Sequence, residues 1–542
     1  MSKNEFENVS VNARSVGTRR AGKTRAKIIL GISSALLAAI LIFAGVAIRV
    51  HAQGQGGESA DMIAYRTAME DADQKILAEE LAHSELMKNL EYLTTQIGPR
   101  LTGGPQMQAA SAWTLKRFKD YGIDAHLETQ QVPHSWTRGA DTAEITAPIQ
   151  RRIEIRSAGW SKATGGVVTG NVVWLESQTP ESIAAAGAKL KGAIVMIGKP
   201  SNVWLDGQNP ENAYDAVIPP QVGVPAARGG AGGRGAAGGG ARGGAPQTNP
   251  LVDAGAAVVV RDSGKPWNLF NMGGAGGNYA PSAIPTAFLT HEDYSLIYRL
   301  AQSGTVAMRV NLDGKFSDGP SDASITVAEI KGSQFPDERV IIGGHLDSWD
   351  LGQGALDNGT GAMSVLEAAR TLKALGWKPK RTITFILYTG EEEGGIGVRT
   401  FLQNHAAEIQ KIDASLVDDT GTGKILTIAM ENLWETMPQM MQIYRPMQEV
   451  LNLQPLSTRY YGSSDHVAYL GQGVPSYFAV QTPSYYREAH HSQTDTFDKV
   501  IPEFVNQGAQ TLAMFAWNVS EMTQPLPHHA ATAPPPTAAP GR

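Results

Sequence analysis

The run from Ile342 to Gly361, I-G-G-H-L-D-S-W-D-L-G-Q-G-A-L-D-N-G-T-G, sets His345, Asp347, Asp350 and Asp357 among glycines at the end of an apolar strand. Imidazole nitrogens and carboxylate oxygens are the ligands that zinc and its neighbours take. Glycines let the backbone turn tightly enough to aim several of them at one point. Three later stretches carry the same chemistry. Arg381–Thr389 (R-T-I-T-F-I-L-Y-T) runs into Gly390-Glu391-Glu392-Glu393, and Ala414–Val417 runs into Asp418-Asp419-Thr420. Glu488–Thr496 (E-A-H-H-S-Q-T-D-T) adds the imidazoles of His490 and His491.

Two metal ions held about 3.5–4 Å apart need a bridging carboxylate and further ligands on either side. His345 and Asp357 can supply one ion and the bridge, and Glu392, Asp419 and His491 can complete the pair. Asp418 and His490 compete for the last two places. One carboxylate must stay unligated to move protons, and Glu391 is the neighbour placed for that. Asp347, two residues past His345, can accept the second imidazole N–H and fix its tautomer. Each of these residues has an ordinary reading when taken alone. A lone His is usually a satisfied structural group, and a Glu triplet a solvated turn; three strand ends delivering His, Glu and Asp together reverse that. His466 reads as a pocket-lining or helix-capping residue. Gly159-Trp160-Ser161-Lys162-Ala163 lacks the last glycine and the partners of a serine nucleophile elbow.

These ligands need a sheet to present them. Ser324–Ile330, Arg339–Gly344, Arg381–Thr389 and Ala414–Val417 read as strands, the third nearly continuous in apolar residues as in a buried parallel strand. Gly359–Leu375, Val398–Ala407 and Glu503–Thr523 read as helices. This alternation predicts an α/β sandwich, in which sites form beyond the carboxyl ends of the strands. Upstream, Asp61–Thr95 has helical spacing and is broken by Ile97-Gly98-Pro99-Arg100-Leu101. A second helix ends at Gly122, and a strand covers Leu127–Val132. Between about 140 and 315, short strands at Gly166–Leu175, Gly192–Ile197, Ala256–Val260 and Thr286–Leu289 suggest a β-rich module. Within it, residues 222–246 are a Gly/Ala-rich low-complexity stretch whose G-x-G-x-x-G matches are compositional, not a phosphate loop.

The chain has 542 residues and no cysteine, which excludes disulfides, thiolate metal sites and a cysteine nucleophile. Residues 1–52 hold eight of the 46 Lys and Arg but only two of the 52 Asp and Glu, so the remainder carries about twelve net negative charges. That balance argues against nucleic-acid binding. Basic residues from Arg14 to Lys27 precede an uncharged stretch, Ile28–Ile48, and a small-x-small pattern, Val50-His51-Ala52. This reads as an export signal, with an uncleaved anchor over 28–48 as the alternative and the body outside the cytoplasm in either case.

The motifs H-L-D-S-W-D-x-G-Q-G-A-x-D, x-E-E-x-G-G-x-G, S-L-V-x-D-x-G-T and H-H-S-x-x-D-T, in this order, resemble the family-28 co-catalytic di-zinc metallopeptidases of clan MH. The resemblance covers most of the chain after about Asp61. It implies a three-layer α/β/α mixed-sheet di-zinc exopeptidase domain (phosphorylase/hydrolase-like), discontinuous over residues 60–140 and 316–525. Residues 141–315 would be an inserted protease-associated domain, on the strength of K-L-K-G-A-I-V-M-I-G and D-A-G-A-A-V-V-V-R-D. Residues 526–542 would be a disordered Pro/Ala-rich tail with His528 and His529 inert. The resemblance makes His345, Asp357, Glu392, Asp419 and His491 the ligands of two zinc ions, with Asp357 bridging and its peptide bond to Asn358 cis. Glu391 would be the base that takes a proton from the bridging water and donates it to the leaving amine. Where relatives often carry Tyr before the last His, this chain has His490, which would take the oxyanion or substrate-contact role. Asn358 replaces an Asp of many relatives at a position that does not ligate. The expected activity is hydrolysis of dipeptides or short peptides, as a dipeptidase or carboxypeptidase. An aminopeptidase, or an inactive binding or receptor-like protein on the same scaffold, is the alternative. The resemblance also implies a homodimer.

Overall fold

A computed structural model describes residues 60–203 and 249–532. The stretches 1–52, 222–246 and 533–542 discussed above lie outside the described residues. Among those described, no helix is long and apolar enough to cross a membrane.

The larger sheet has seven strands: β1 (Asp124–Val132), β2 (Ser321–Ile330), β3 (Phe335–His345), β4 (Arg381–Tyr388), β5 (Ile412–Val417), β6 (Ile425–Ala429) and β7 (Ser476–Gln481). Their order is β1-β2-β4-β3-β5-β7-β6. The central strands β4, β3, β5 and β7 run parallel, and the flanking pairings β1–β2, β2–β4 and β7–β6 are antiparallel. Successive strand side chains point to opposite faces, and the sequence exploits this. Val340 and Ile342 of β3, with Ile383, Phe385 and Leu387 of β4, pack into one core. Ile341, Ile386 and Tyr388 pack into another. The first core is closed by α1 (Ala60–His83), α2 (Pro105–Asp120), α3 (Thr360–Ala374), α5 (Met437–Leu451) and α6 (Pro502–Ser520). The opposite face is covered by α4 (Ile396–Asn404) and the short helix His466–Gly471. The result is the three-layer α/β/α mixed-sheet arrangement.

A second, eight-stranded sheet is built only from residues between Thr142 and Asn311. Its order runs Arg151–Ile153, Thr142–Ala147, Ala307–Asn311, Val168–Leu175, Ile194–Ile197, Val258–Asp262, Thr286–Leu289 and Ile155–Ser157. It has its own core around Ile145, Ile194, Val258 and Val310, covered by the helix His291–Ser303. A further apolar cluster joins the two sheets. Leu101, Val132, Ala323 and Trp349, which lie in or beside the seven-stranded sheet, meet Trp160, Phe270, Met272 and Tyr279 from the stretch that carries the eight-stranded one.

The tail departs from expectation over 526–532. Leu526 is buried, His528 Nε2 lies 2.9 Å from the Ile412 carbonyl, and His529 Nε2 lies 2.9 Å from that of Leu470. The His529 N–H also donates to the Gly473 carbonyl. One apolar anchor and two imidazoles that satisfy free carbonyls hold this stretch against the sheet, although its composition alone reads as disordered. Ser161 of the elbow-like stretch is buried and serves the backbone: its hydroxyl accepts the Thr286 N–H and donates to the Lys162 carbonyl.

Candidate metal centre

Strand order decides where the ligand-type groups meet. β3 lies between β4 and β5, with His345 opposite Tyr388 and Gly343 opposite Val417. The carboxyl ends of three adjacent parallel strands therefore deliver His345, the Glu391–Glu393 turn and the Asp418-Asp419 pair to one edge. Gly390 turns the chain off β4 at φ +71°, where a Cβ would fall 2.2 Å from Ile396 Cγ2. His490 and His491 reach the same place from the loop before α6.

Asp357 stands at the middle. Its Oδ1 is 3.4 Å from His345 Nε2 and its Oδ2 is 3.6 Å from His491 Nε2. On one side Asp419 Oδ1 is 3.1 Å from His345 Nε2, and on the other Glu392 Oε2 is 2.9 Å from His491 Nε2. Glu391 joins His345 and Asp419 in a group whose ligand atoms all lie within 4.8 Å of one another, and His490 joins Asp357 and His491 in a second such group. The five expected ligands thus converge together with Glu391 and His490. Asp418 does not share it: its carboxylate accepts from Gln481 Nε2 at 2.6 Å. Asn358 also turns away, donating to the Asp418 carbonyl and accepting from the Gly361 N–H. The Asp357–Asn358 peptide is cis.

The donor set fits bound metal. Asp357 Oδ2 and Glu392 Oε1 are buried acceptors with no hydrogen-bond donor, a costly state unless something positive lies against them. The electrostatics agree. Burial pushes Glu391, Glu392 and Glu393 well above the usual carboxylate range, reinforced by Asp419, Asp357 and Asp347 respectively. Burial, with His490 beside it, holds His491 well below the usual imidazole range. Burial also opposes ionisation of Asp357, but hydrogen bonding from His345 and the charges of His490 and His491 outweigh it and hold the carboxyl well below its ordinary value.

The supporting contacts differ from expectation at Asp347. His345 Nδ1 is 3.1 Å from the Asp347 main-chain carbonyl, whereas the carboxylate Oδ1 stands 3.6 Å away. The carboxylate instead accepts the Glu391 and Glu392 N–H groups, each at 3.3 Å, and so fixes the turn that carries both glutamates. The extended chain past His345 brings the carbonyl under the ring and swings the side chain across to β4. Likewise His466 begins its helix but does not cap it. It is fully buried, with Nε2 2.8 Å from the Tyr461 carbonyl.

Other supports were not assigned a role from the sequence. Asp495 accepts the Leu356 N–H at 2.6 Å and the Asp357 N–H at 3.2 Å, holding the central aspartate from the histidine loop. Arg100, fully buried, donates to the carbonyls of Gly98, Leu346, Gln353 and Gly354 and braces the loop between His345 and Asp357. The only signal for either was position: Arg100 follows the Gly-Pro break, and Asp495 lies four residues past His491.

The profile of peptidase family M28 matches residues 326–516, which contain every strand-end and loop residue of this site. The chain is 30% identical over 451 residues to carboxypeptidase Q of Mus musculus, covering 81% of this chain and 86% of that one. It is 29% identical over 450 residues to carboxypeptidase Q of Xenopus laevis, covering 82% and 88%. Among solved structures it is similar to the peptidase M28 precursor from Shewanella amazonensis, with a TM-score of 0.69, 26% identity, and 86% and 100% of the two chains covered. The zinc aminopeptidase BSAP from Bacillus subtilis shares the fold at a TM-score of 0.58 and 18% identity, over 81% and 96% of the chains. With the matched region containing the whole carboxylate–imidazole cluster, the chain belongs to peptidase family M28 and is a metallopeptidase.

Proposed function

We propose that this protein is an exported di-zinc exopeptidase that hydrolyses dipeptides or short peptides, as a dipeptidase or carboxypeptidase. The observation that carries the reading is Asp357, whose two oxygens face His345 on one side and His491 on the other. In this reading His345 and Asp419 hold one zinc ion, Glu392 and His491 hold the other, and Asp357 is shared. Bound there, the pair supplies Lewis acidity that brings the pKa of water towards neutrality. Glu391 takes the water's proton and returns it to the leaving amine; its position beside His345 and Asp419, and burial that raises its proton affinity, suit that exchange. Asp347 keeps Glu391 in place through its N–H. His490 stacks on His491 with ring centroids 3.6 Å apart and has a side chain 39% exposed, so it meets the substrate carbonyl or its flank.

Extensive coverage of carboxypeptidase Q relatives favours this reading over an aminopeptidase, and the complete ligand set favours an enzyme over an inactive binding protein. The insert, read as a protease-associated domain over 141–315, restricts access to the site. Export rests on the residues before position 52.

Glu391→Gln tests the mechanism. The expected variant retains two zinc ions by elemental analysis while peptide turnover falls by at least about a thousandfold; a zinc-loaded variant with undiminished turnover would sink it. Assaying one unblocked dipeptide beside its N-blocked and C-amidated forms tests specificity. A carboxypeptidase accepts the N-blocked form, a dipeptidase neither blocked form, and an aminopeptidase the C-amidated form.

A further inference from the structure

His491 does not lie on a regular element of the catalytic sheet, and its backbone is left-handed at φ +58°. A non-glycine residue holds that conformation only when its surroundings over-determine it. Those surroundings come from the insert. The Met272 N–H donates to the His491 carbonyl at 2.8 Å, and His491 Nδ1 is 3.1 Å from the Met272 carbonyl. Two residues on, Gln493 Oε1 accepts the Phe270 N–H at 2.9 Å, while its Nε2 donates to the Asn268 carbonyl at 2.8 Å. On the other flank Lys265 Nζ donates to the carbonyls of Arg487, Glu488 and His490. The short helix Tyr486–Ala489 ends there, so its last turn presents carbonyls without intrahelical partners. An ammonium carries three donors, and here three carbonyls receive them.

We propose that Lys265 is a positioning residue for the metal centre: from the inserted module it clamps the 487–490 turn, and with residues 268–272 it sets His491 in its ligating orientation. The insert then contributes to metal affinity as well as covering the site. Because the Met272 carbonyl receives the imidazole Nδ1–H, Nε2 is left as the atom facing Asp357 and Glu392. Lys265 acts through the backbone that carries this ring, so its loss frees the ring without removing any ligand. The inference rests on the two-zinc reading above.

The test uses the full chain as wild type, Lys265→Met, Lys265→Arg and Gln493→Ala, each stripped with a chelator. Zinc alone is titrated against a chromogenic competitor, and thermal unfolding is followed on the metal-free proteins. In Lys265→Met one zinc equivalent should weaken about 10–100-fold, the size seen when a ligand's supporting contact is removed. The other equivalent, and metal-free unfolding, should stay close to wild type. Lys265→Arg should restore most of the lost affinity, and Gln493→Ala should weaken the same equivalent by less. Unchanged affinities in Lys265→Met, or equal weakening of both equivalents, would overturn the proposal. Should Lys265→Met fail to fold, Gln493→Ala decides: selective loss of one equivalent supports the clamp, and no loss overturns it. A wild-type protein that takes up fewer than two ions fails the two-zinc reading itself and takes this inference with it.

Discussion

The two halves of the metal centre are built differently. His345 and Asp419, which face each other on one side, stand at or just past the ends of adjacent parallel strands, so strand register sets their spacing. His491, which faces Glu392 on the other side, sits in a loop, in a left-handed conformation, and is tied down by the segment between two strands of the second sheet. A site on rigid elements is held in place by the same burial that stabilises the fold. A site on a loop needs dedicated contacts, and can be loosened without unfolding the protein. Asp357 belongs to neither half alone: it follows the loop after β3 but is held by Asp495 from the histidine loop.

That contrast can be broken most sharply at Asp357. Asp357→Ala removes the group common to both halves, and turnover should fall by at least about a thousandfold with loss of at least one zinc ion. Activity within tenfold of wild type would mean the halves work independently. Next in size is Arg100→Ala on the sheet-fixed side. It strands four carbonyls around the loop from Leu346 to Gly354, and should cost about 3–5 kcal/mol in denaturant unfolding. A cost below about 1 kcal/mol would show that water replaces the guanidinium freely, and that this half is less rigid than argued.

A control away from both halves is Asp73 on α1, fully buried and bonded to Asn518. Burial raises its pKa from 3.8 to about 8. For an acid whose folded pKa is raised, folding is favoured by the proton. The stability associated with it is complete below about pH 4, and is lost as pH climbs to about 8 while only the unfolded chain ionises. Asp73→Asn should therefore match wild type near pH 4 and exceed it by about 5 kcal/mol at pH 8. Equal pH dependence of unfolding in the two proteins would contradict the assignment.

How legible these features were follows from what each depends on. The strands β3, β4 and β5 are legible because a buried parallel strand is a continuous apolar run, and each of these three runs leads into a ligand-type residue. Side-chain ligands announce themselves by type. Their supports do not: the Met272 and Asp347 carbonyls act through the backbone, which every residue carries. Arg100 and Lys265 matter because of carbonyls far away in sequence. The region from 425 to 481 lacks such a mark: β7 is as long as β5 but ends at Gln481 with no ligand-type residue, and α5 contains Pro446. The order around His528 and His529 is not legible because a Pro/Ala-rich setting hides a single apolar anchor, Leu526.

The central claim is that one carboxylate joins two metal-binding halves. Elemental analysis of chelator-stripped protein reloaded with excess zinc and desalted tests it most directly. The account predicts two ions per chain in wild type, with peptide hydrolysis restored as they bind. A single ion per chain at full activity, or hydrolysis that survives complete metal removal, would contradict it.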